Sequence, residues 1–131
     1  MHAKGPFEVK LAPLAPAHTG EDALGRMSID KQFRGDLDAK SEGEMLSVMD
    51  ATRGSGGYVA LERVSGSLHG RTGTFVLQHS ATMNRGAPQL AVTVVPDSGT
   101  GQLAGLTGSM QIIIEAGKHS YAFDYTLGDV A

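Results

Sequence analysis

The chain has 131 residues, no cysteine, and a formal net charge of -3 from 11 basic and 14 acidic side chains. This length suits a single domain over residues 1–131. The lack of cysteine excludes disulfides, thiolate metal sites and a thiol nucleophile. Because no basic run could neutralise a line of phosphates, we expect no nucleic-acid partner. No apolar stretch is long enough for a membrane span or a signal peptide, so we expect a cytoplasmic protein without a membrane partner.

The predicted elements are almost all strands, because apolar residues alternate at period two and glycine or proline interrupts the chain at short intervals. Residues 34–36 make a turn between the second and third strands, and the loop over 13–20 is a candidate lid. Residues 39–49 are ambiguous, either continuing a strand as a bulged edge or including one helical turn. The strands are predicted at residues 7–11, 27–33, 37–39, 58–64, 74–82, 89–95, 109–115 and 118–127.

A glycine-rich motif occurs twice, as GSLHGRTG at residues 66–73 and GQLAGLTG at residues 101–108. Each copy leads into an alternating strand, which is typical of two corners of one antiparallel sheet. About eight strands in meander order can close on themselves and remove exposed edges. The sequence therefore predicts an all-β fold, a single eight-stranded antiparallel meander barrel.

Strand alternation assigns the side chains to two faces, and one of these faces is consistently apolar. We expect that face to fill the barrel interior. Its apolar members are Met27, Ile29, Phe33, Tyr58, Ala60, Val64, Phe75, Leu77, Leu90, Val92, Val94, Met110, Ile112, Ile114, Tyr121, Phe123, Tyr125 and Leu127.

Four ionisable residues share the apolar face by the same parity: Lys31, Glu62, His79 and His119. Ionisable groups in an apolar interior lose hydration unless they find partners, so these four are the candidate catalytic residues. Other interpretations stay open. A bulge would turn any of them to solvent, Lys31 and Glu62 would also suit an ion pair at the barrel rim, and inward histidines often serve as hydrogen-bonded core residues.

The tyrosines on this face carry an apolar ring with one polar tip, which suits the orientation of a ligand oxygen. Core packing explains them almost as well. The candidate ligand-binding residues are Tyr58, Phe75, Tyr121, Tyr125, Met27 and Met110.

No motif indicates a metal or another cofactor. His79, His119 and Glu62 are possible ligand types, but they lie on separate strands without the short spacing of a zinc motif. The segment 99–101 lacks the lysine that follows a phosphate-binding glycine loop. We therefore expect no metal and no cofactor.

Five runs of the chain are distinctive: MSIDKQF at 27–33, GYVALER at 57–63, FVLQH at 75–79, VVPDSGTG at 94–101 and KHSY at 118–121. Together they resemble the bacterial family of unknown function DUF3224, over nearly the whole length of the chain. The resemblance implies a barrel similar in fold to the plant allene oxide cyclases and, more distantly, to the dirigent proteins. Those plant proteins steer the cyclisation or coupling of reactive hydrophobic intermediates in a shaped cavity.

The leading hypothesis is a small barrel that binds a hydrophobic or amphipathic small molecule, with isomerase or cyclase-type activity. Glu62 or His79 would accept a proton, with a pKa moved toward neutrality by apolar surroundings, and tyrosine hydroxyls would polarise the ligand. The alternative is a non-catalytic structural or ligand-storage module. The interior volume distinguishes the two hypotheses, because the enzyme hypothesis requires a cavity beside His79.

A homodimer is also expected, because apolar residues fall on the outer face by the same parity. These residues are Val59, Leu61, Val76, Val95 and Ile113.

Overall fold

A computed structural model describes residues 1–15 and 24–128, so most of the predicted lid over 13–20 lies outside the described residues. Eight antiparallel strands follow one another around a closed barrel, and β1 pairs with β8 to complete it. The predicted all-β meander barrel is confirmed. The strands are β1 (His2–Pro13), β2 (Gly25–Phe33), β3 (Leu37–Asp50), β4 (Ser55–Leu68), β5 (Arg71–Asn84), β6 (Ala87–Val94), β7 (Leu106–Glu115) and β8 (Lys118–Leu127).

Three hairpins turn through two residues that both have positive φ. The first repeat contains one of them, where His69 and Gly70 have φ values of 48° and 81° between β4 and β5. Two-residue turns of this kind match the twist of the flanking strands, and glycine adopts the second position without strain. The second repeat forms a short 3-10 turn over Gly101–Leu103 before β7.

The ambiguous segment is strand throughout. Residues 39–49 belong to β3, which pairs with β2 on one side and with β4 on the other, so it is not an edge and holds no helical turn. The Ser-Glu-Gly-Glu run at 41–44 has weak strand propensity. Two complete ladders of backbone hydrogen bonds outweigh that preference.

One end of the barrel, which we call the closed end, is filled by aromatic side chains. Phe33, Phe75, Tyr121 and Phe123 are essentially fully buried there, and Leu103 of the 3-10 turn packs with them. The Tyr121 hydroxyl accepts a hydrogen bond from the Leu37 N–H at 2.8 Å and donates to the Arg34 carbonyl at 2.7 Å. This end is therefore sealed by packing and by saturated polar groups.

The opposite end is less densely filled. Leu90 and Ile114 have inward parity, yet they are 43% and 63% exposed because they lie at the rim. The seam between β6 and β7 is also thin there, since the two strands share a single ladder pair, Thr93 with Ser109. Among the described residues, no helix is long and apolar enough to cross a membrane.

Candidate functional site

Three of the four predicted ionisable residues meet inside the barrel, in what we call the polar cluster: Lys31, Glu62 and His79. Their side chains are 7%, 0% and 5% exposed. They project inward from β2, β4 and β5. Lys31 Nζ lies 3.1 Å from Oε2 and 3.3 Å from Oε1 of Glu62, so the carboxylate and the ammonium form a buried ion pair.

Glu62 fits at this level because its ladder partner on β3 is Gly43. A Cβ atom on Gly43 would lie 2.1 Å from the Leu61 carbonyl oxygen and 2.7 Å from the Glu62 Cα. The strands can approach this closely only where a side chain is absent. Ser41, the preceding inward residue of β3, donates its hydroxyl to Oε2 of Glu62 at 3.4 Å.

His79 is the member of the cluster whose bonding is incomplete. Its Nε2 lies 3.5 Å from Oε1 of Glu62, and this buried nitrogen has no hydrogen-bond partner among the described residues. Buried polar groups are nearly always paired, and leaving one unpaired costs about 1–3 kcal/mol. The Tyr58 ring packs at a centroid distance of 6.2 Å from the imidazole.

The charge on Glu62 follows from its neighbours. Burial raises the pKa of Glu62, but His79 and Lys31 together lower it by more, so the pKa of this carboxyl lies below its ordinary value. Glu62 is therefore ionised at neutral pH, and the expectation of a carboxylate with a pKa moved toward neutrality is wrong for this residue. Burial, followed by the Glu62 charge, raises the pKa of Tyr58, which keeps its hydroxyl protonated.

His119, the fourth predicted residue, packs on an aromatic ring and is half-buried. Its ring centroid lies 5.3 Å from that of Phe7, whose centroid is also 5.2 Å from Lys31 Nζ. Phe7 thus contacts both His119 and the lysine of the polar cluster. Within residues 1–15 and 24–128, no group of three or more His, Asp or Glu side chains is placed to hold a metal ion.

An apolar pocket of about 340 Å³, which we call the mouth, opens at the less densely filled end of the barrel. Met45 shares a row of the sheet with Ala60 and His79, and the Tyr58 ring packs near the imidazole. Two wall residues of the mouth thus neighbour His79, although His79 itself does not line the pocket. Of the residues in the mouth, the sequence pattern predicts Tyr58 as a ligand-binding candidate and Leu90 as an interior residue, but it does not identify Met45, Met49 or Met83. The inward residues that line the mouth are Met45, Ser47, Met49, Tyr58, Ala81, Met83 and Leu90.

The other candidate ligand-binding residues lie elsewhere. Phe75, Tyr121, Tyr125 and Met110 are buried in the hydrophobic core. The hydroxyl of Tyr125 bonds to Nδ1 of His69. Met27 is half-buried on β2, as the ladder partner of Met45.

A larger depression, a groove of about 1040 Å³, lies mainly on the outer surface of β2 to β5. Strand alternation sends most of its lining side chains outward, but His79 of the polar cluster also lines it, together with the inward residues Met45 and Ala60. The groove therefore adjoins His79, whereas Lys31 and Glu62 do not line it. The outward residues of this groove are Arg26, Ser28, Asp30, Glu42, Glu44, Leu46, Val59, Leu61 and Gln78.

Comparisons with known proteins agree with the fold. The family described as "Protein of unknown function (DUF3224)" matches residues 3–125. A crystal structure of a protein of unknown function from the DUF3224 family of Shewanella oneidensis MR-1 is 49% identical, covers 98% of each chain and superposes with a TM-score of 0.91. No curated protein matches the chain. By sequence and by structure, this chain belongs to the DUF3224 family.

Proposed function

We propose that the barrel binds a hydrophobic or amphipathic small molecule in the mouth, with the polar end of the molecule against His79. The observation that carries this proposal is the unpartnered Nε2 of His79, buried at the level where the apolar pocket ends. Small-molecule sites combine apolar walls with a few convergent polar groups. A ligand that bonds to His79 would remove the cost of its unpaired nitrogen.

For a reaction, we propose proton transfer of the isomerase or cyclase type, with His79 as proton acceptor. Glu62 is ionised and 3.5 Å from the imidazole, so it would orient the ring and stabilise its protonated form. The protonated Tyr58 hydroxyl would polarise a ligand oxygen. Confinement of a flexible molecule lowers its barrier without a strong nucleophile. The similarity to allene oxide cyclases and dirigent proteins stays a prediction, and this mechanism is consistent with it.

One observation favours the alternative, a non-catalytic ligand-storage or structural module. Glu62 is engaged by Lys31 at 3.1 Å and by Ser41 at 3.4 Å, so its carboxylate already has strong partners. Such a group is a weak base, because its pKa is lowered rather than raised. In this alternative, the cluster would only orient a bound molecule.

Binding is tested by thermal shift with aliphatic alcohols, terpenoids and aromatic ketones. A ligand at a hundredfold excess over its Kd stabilises the native state by about 2.7 kcal/mol, which raises Tm by several degrees. Ala81→Phe would fill the mouth opposite Tyr58 and is expected to abolish the shift. Ala91→Phe, at an exposed position outside the mouth, is the matched control and should keep it. A shift that survives Ala81→Phe, or no shift with any compound class, would contradict binding in the mouth.

Catalysis is tested once a ligand that turns over is found. His79→Ala and Glu62→Gln are each expected to abolish turnover, whereas Tyr58→Phe should lower it by about 10²-fold or more. Full activity in both His79→Ala and Glu62→Gln would exclude the proposed mechanism. Ligand binding that is retained without any turnover in the wild-type protein would favour the storage module.

A further inference from the structure

We infer that the mouth selects ligands by a neutral hydroxyl head group and discriminates against carboxylate and ammonium heads on the same apolar tail. This inference rests on the proposed function, because it specifies the ligand of the same pocket. It is carried by the juxtaposition of an unpartnered His79 Nε2 with an ionised Glu62 in a cluster that already contains its own counter-charge.

The hydrogen-bonding requirement comes from two atoms. Nε2 of His79 and Oε1 of Glu62 are 3.5 Å apart and do not bond to each other. A hydroxyl is both a donor and an acceptor, so it can donate to the carboxylate oxygen and accept from Nε2 in the tautomer that protonates this nitrogen. In the other tautomer, in which Nε2 can accept a proton, the hydroxyl can donate to the nitrogen instead. An ether oxygen can only accept, which would leave the Glu62 side of the gap unfilled.

The charge requirement comes from the balance inside the cluster. Lys31 and Glu62 already neutralise each other at 3.1 Å, so neither has a full charge left for a ligand. A carboxylate head would lose its hydration and meet the Glu62 anion. An ammonium head would lose its hydration and meet Lys31. Burying an unpaired charge costs far more than burying a hydrogen-bonded neutral group.

The tail requirement comes from the walls and the volume of the mouth. Met45, Met49 and Met83 are unbranched and adaptable, so they accept tails of different shape. If one ligand atom takes ~30 Å³, the share of a water molecule in the liquid, the pocket of about 340 Å³ holds about eleven non-hydrogen atoms. A ten-carbon chain therefore suits it, and selectivity is expected in the head group rather than in the tail.

The test compares four probes of matched length by titration calorimetry at pH 7: 1-decanol, methyl nonyl ether, decanoate and decylammonium. We expect 1-decanol to bind about tenfold more tightly than the ether, which keeps the oxygen but lacks the O–H donor. Both charged probes should bind more weakly still. If decanoate or the ether matches 1-decanol while all occupy the mouth, the head-group inference is overturned and the proposed function stands. If none of the probes and no screened compound binds, both are overturned.

Removal of the Glu62 charge provides a second test of the same inference. Glu62→Gln leaves Lys31 without its counter-charge, so the affinity for decanoate relative to 1-decanol should rise about tenfold or more. Glu44→Gln removes an exposed carboxylate on the outer face of β3 and should leave the relative affinity unchanged. An unchanged preference in a folded Glu62→Gln protein would overturn the inference. If that variant does not fold, the four-probe series on the wild-type protein decides alone.

Discussion

Nε2 of His79 lies 3.5 Å from Oε1 of Glu62, with both side chains almost completely buried and no hydrogen bond between them. At the closed end of the barrel, by contrast, a buried polar group has its hydrogen-bond partners. There, the Tyr121 hydroxyl is fully bonded to the backbone of the β2–β3 turn. The unpaired nitrogen of His79 thus lies near the mouth, where a ligand could bond to it. Such departures from complete hydrogen bonding are typical of functional sites.

Glu62→Gln is expected to lower the free energy of unfolding by about 3–5 kcal/mol at pH 7, because it leaves the buried Lys31 ammonium unpaired. Urea denaturation measures the change. Adding Lys31→Met removes the orphaned charge and should recover most of the loss. Glu44→Gln, which breaks an exposed ion pair with Arg26, should cost less than about 1 kcal/mol. A loss as small as this in Glu62→Gln would refute a strong buried ion pair.

The contribution of Glu62 to stability is expected to depend on pH in one direction only. Its folded pKa lies below the ordinary value of a glutamate side chain. The stabilisation is therefore fully present above the unfolded pKa and is lost as the pH falls through the folded pKa. The gap in unfolding free energy between the wild type and Glu62→Gln should be constant from about pH 7 to pH 5 and shrink at lower pH. A gap that widens on acidification would contradict the lowered pKa.

Tyr121→Phe is expected to destabilise the protein without affecting the mouth. The change removes the partner of the buried Leu37 N–H and should cost about 1–3 kcal/mol. Ligand-induced thermal shifts should keep their size in this variant. Tyr58→Phe is the matched comparison, and it should cost less stability but reduce the ligand shift. The opposite pattern would assign the ligand contact to Tyr121.

The short pairing between β6 and β7 predicts that hydrogen exchange differs between strands. Because β6 pairs with β7 only through Thr93 and Ser109, the amides of β6 should exchange faster than those of β4, which has a full ladder on both sides. Mass spectrometry of peptides from the two strands measures this. A ligand in the mouth should slow exchange around Leu90, which lines it. Equal protection of β4 and β6 without ligand would argue against a weak seam.

The homodimer stays a prediction, and the structure shows where to test it. Leu46 and Val59 lie directly opposite each other on the outer face of β3 and β4, and both are exposed, as is Leu61. A second copy suits this patch, since a two-fold contact pairs a surface with itself. Sedimentation should show a dimer that Leu61→Asp converts to a monomer, whereas Ile114→Asp, at the rim, should not. A monomeric wild type at high micromolar concentration would exclude this interface.

Alternation was sufficient to place the polar cluster inside the barrel. Glu62 and His79 each lie between strongly apolar neighbours of the same parity, and the described strands show no bulge that reverses it. The regular two-residue turns likewise made the meander predictable. These are local signals, which a single sequence contains.

The remaining features depend on distant partners. Burial raises the pKa of Glu62, but His79 on the next strand and Lys31, 31 residues away, lower it by more. Alternation gives no distances, so it could not show this balance. Met45 and Met49 were missed as pocket residues because they lie in the weakly patterned part of β3. The bond between His69 and Tyr125 spans 56 residues and follows only from closure of the barrel.

Closure through β1 and β8 also affects how the protein emerges during synthesis. Every earlier strand can pair with the one made just before it, so the contacts form locally and early. The growing sheet nevertheless keeps a free edge on β1 until β8 has been translated. A nascent chain stalled before residue 118 would leave the edge of β1 open to pairing with other chains. Synthesis of β8 covers this edge and so removes a route to aggregation.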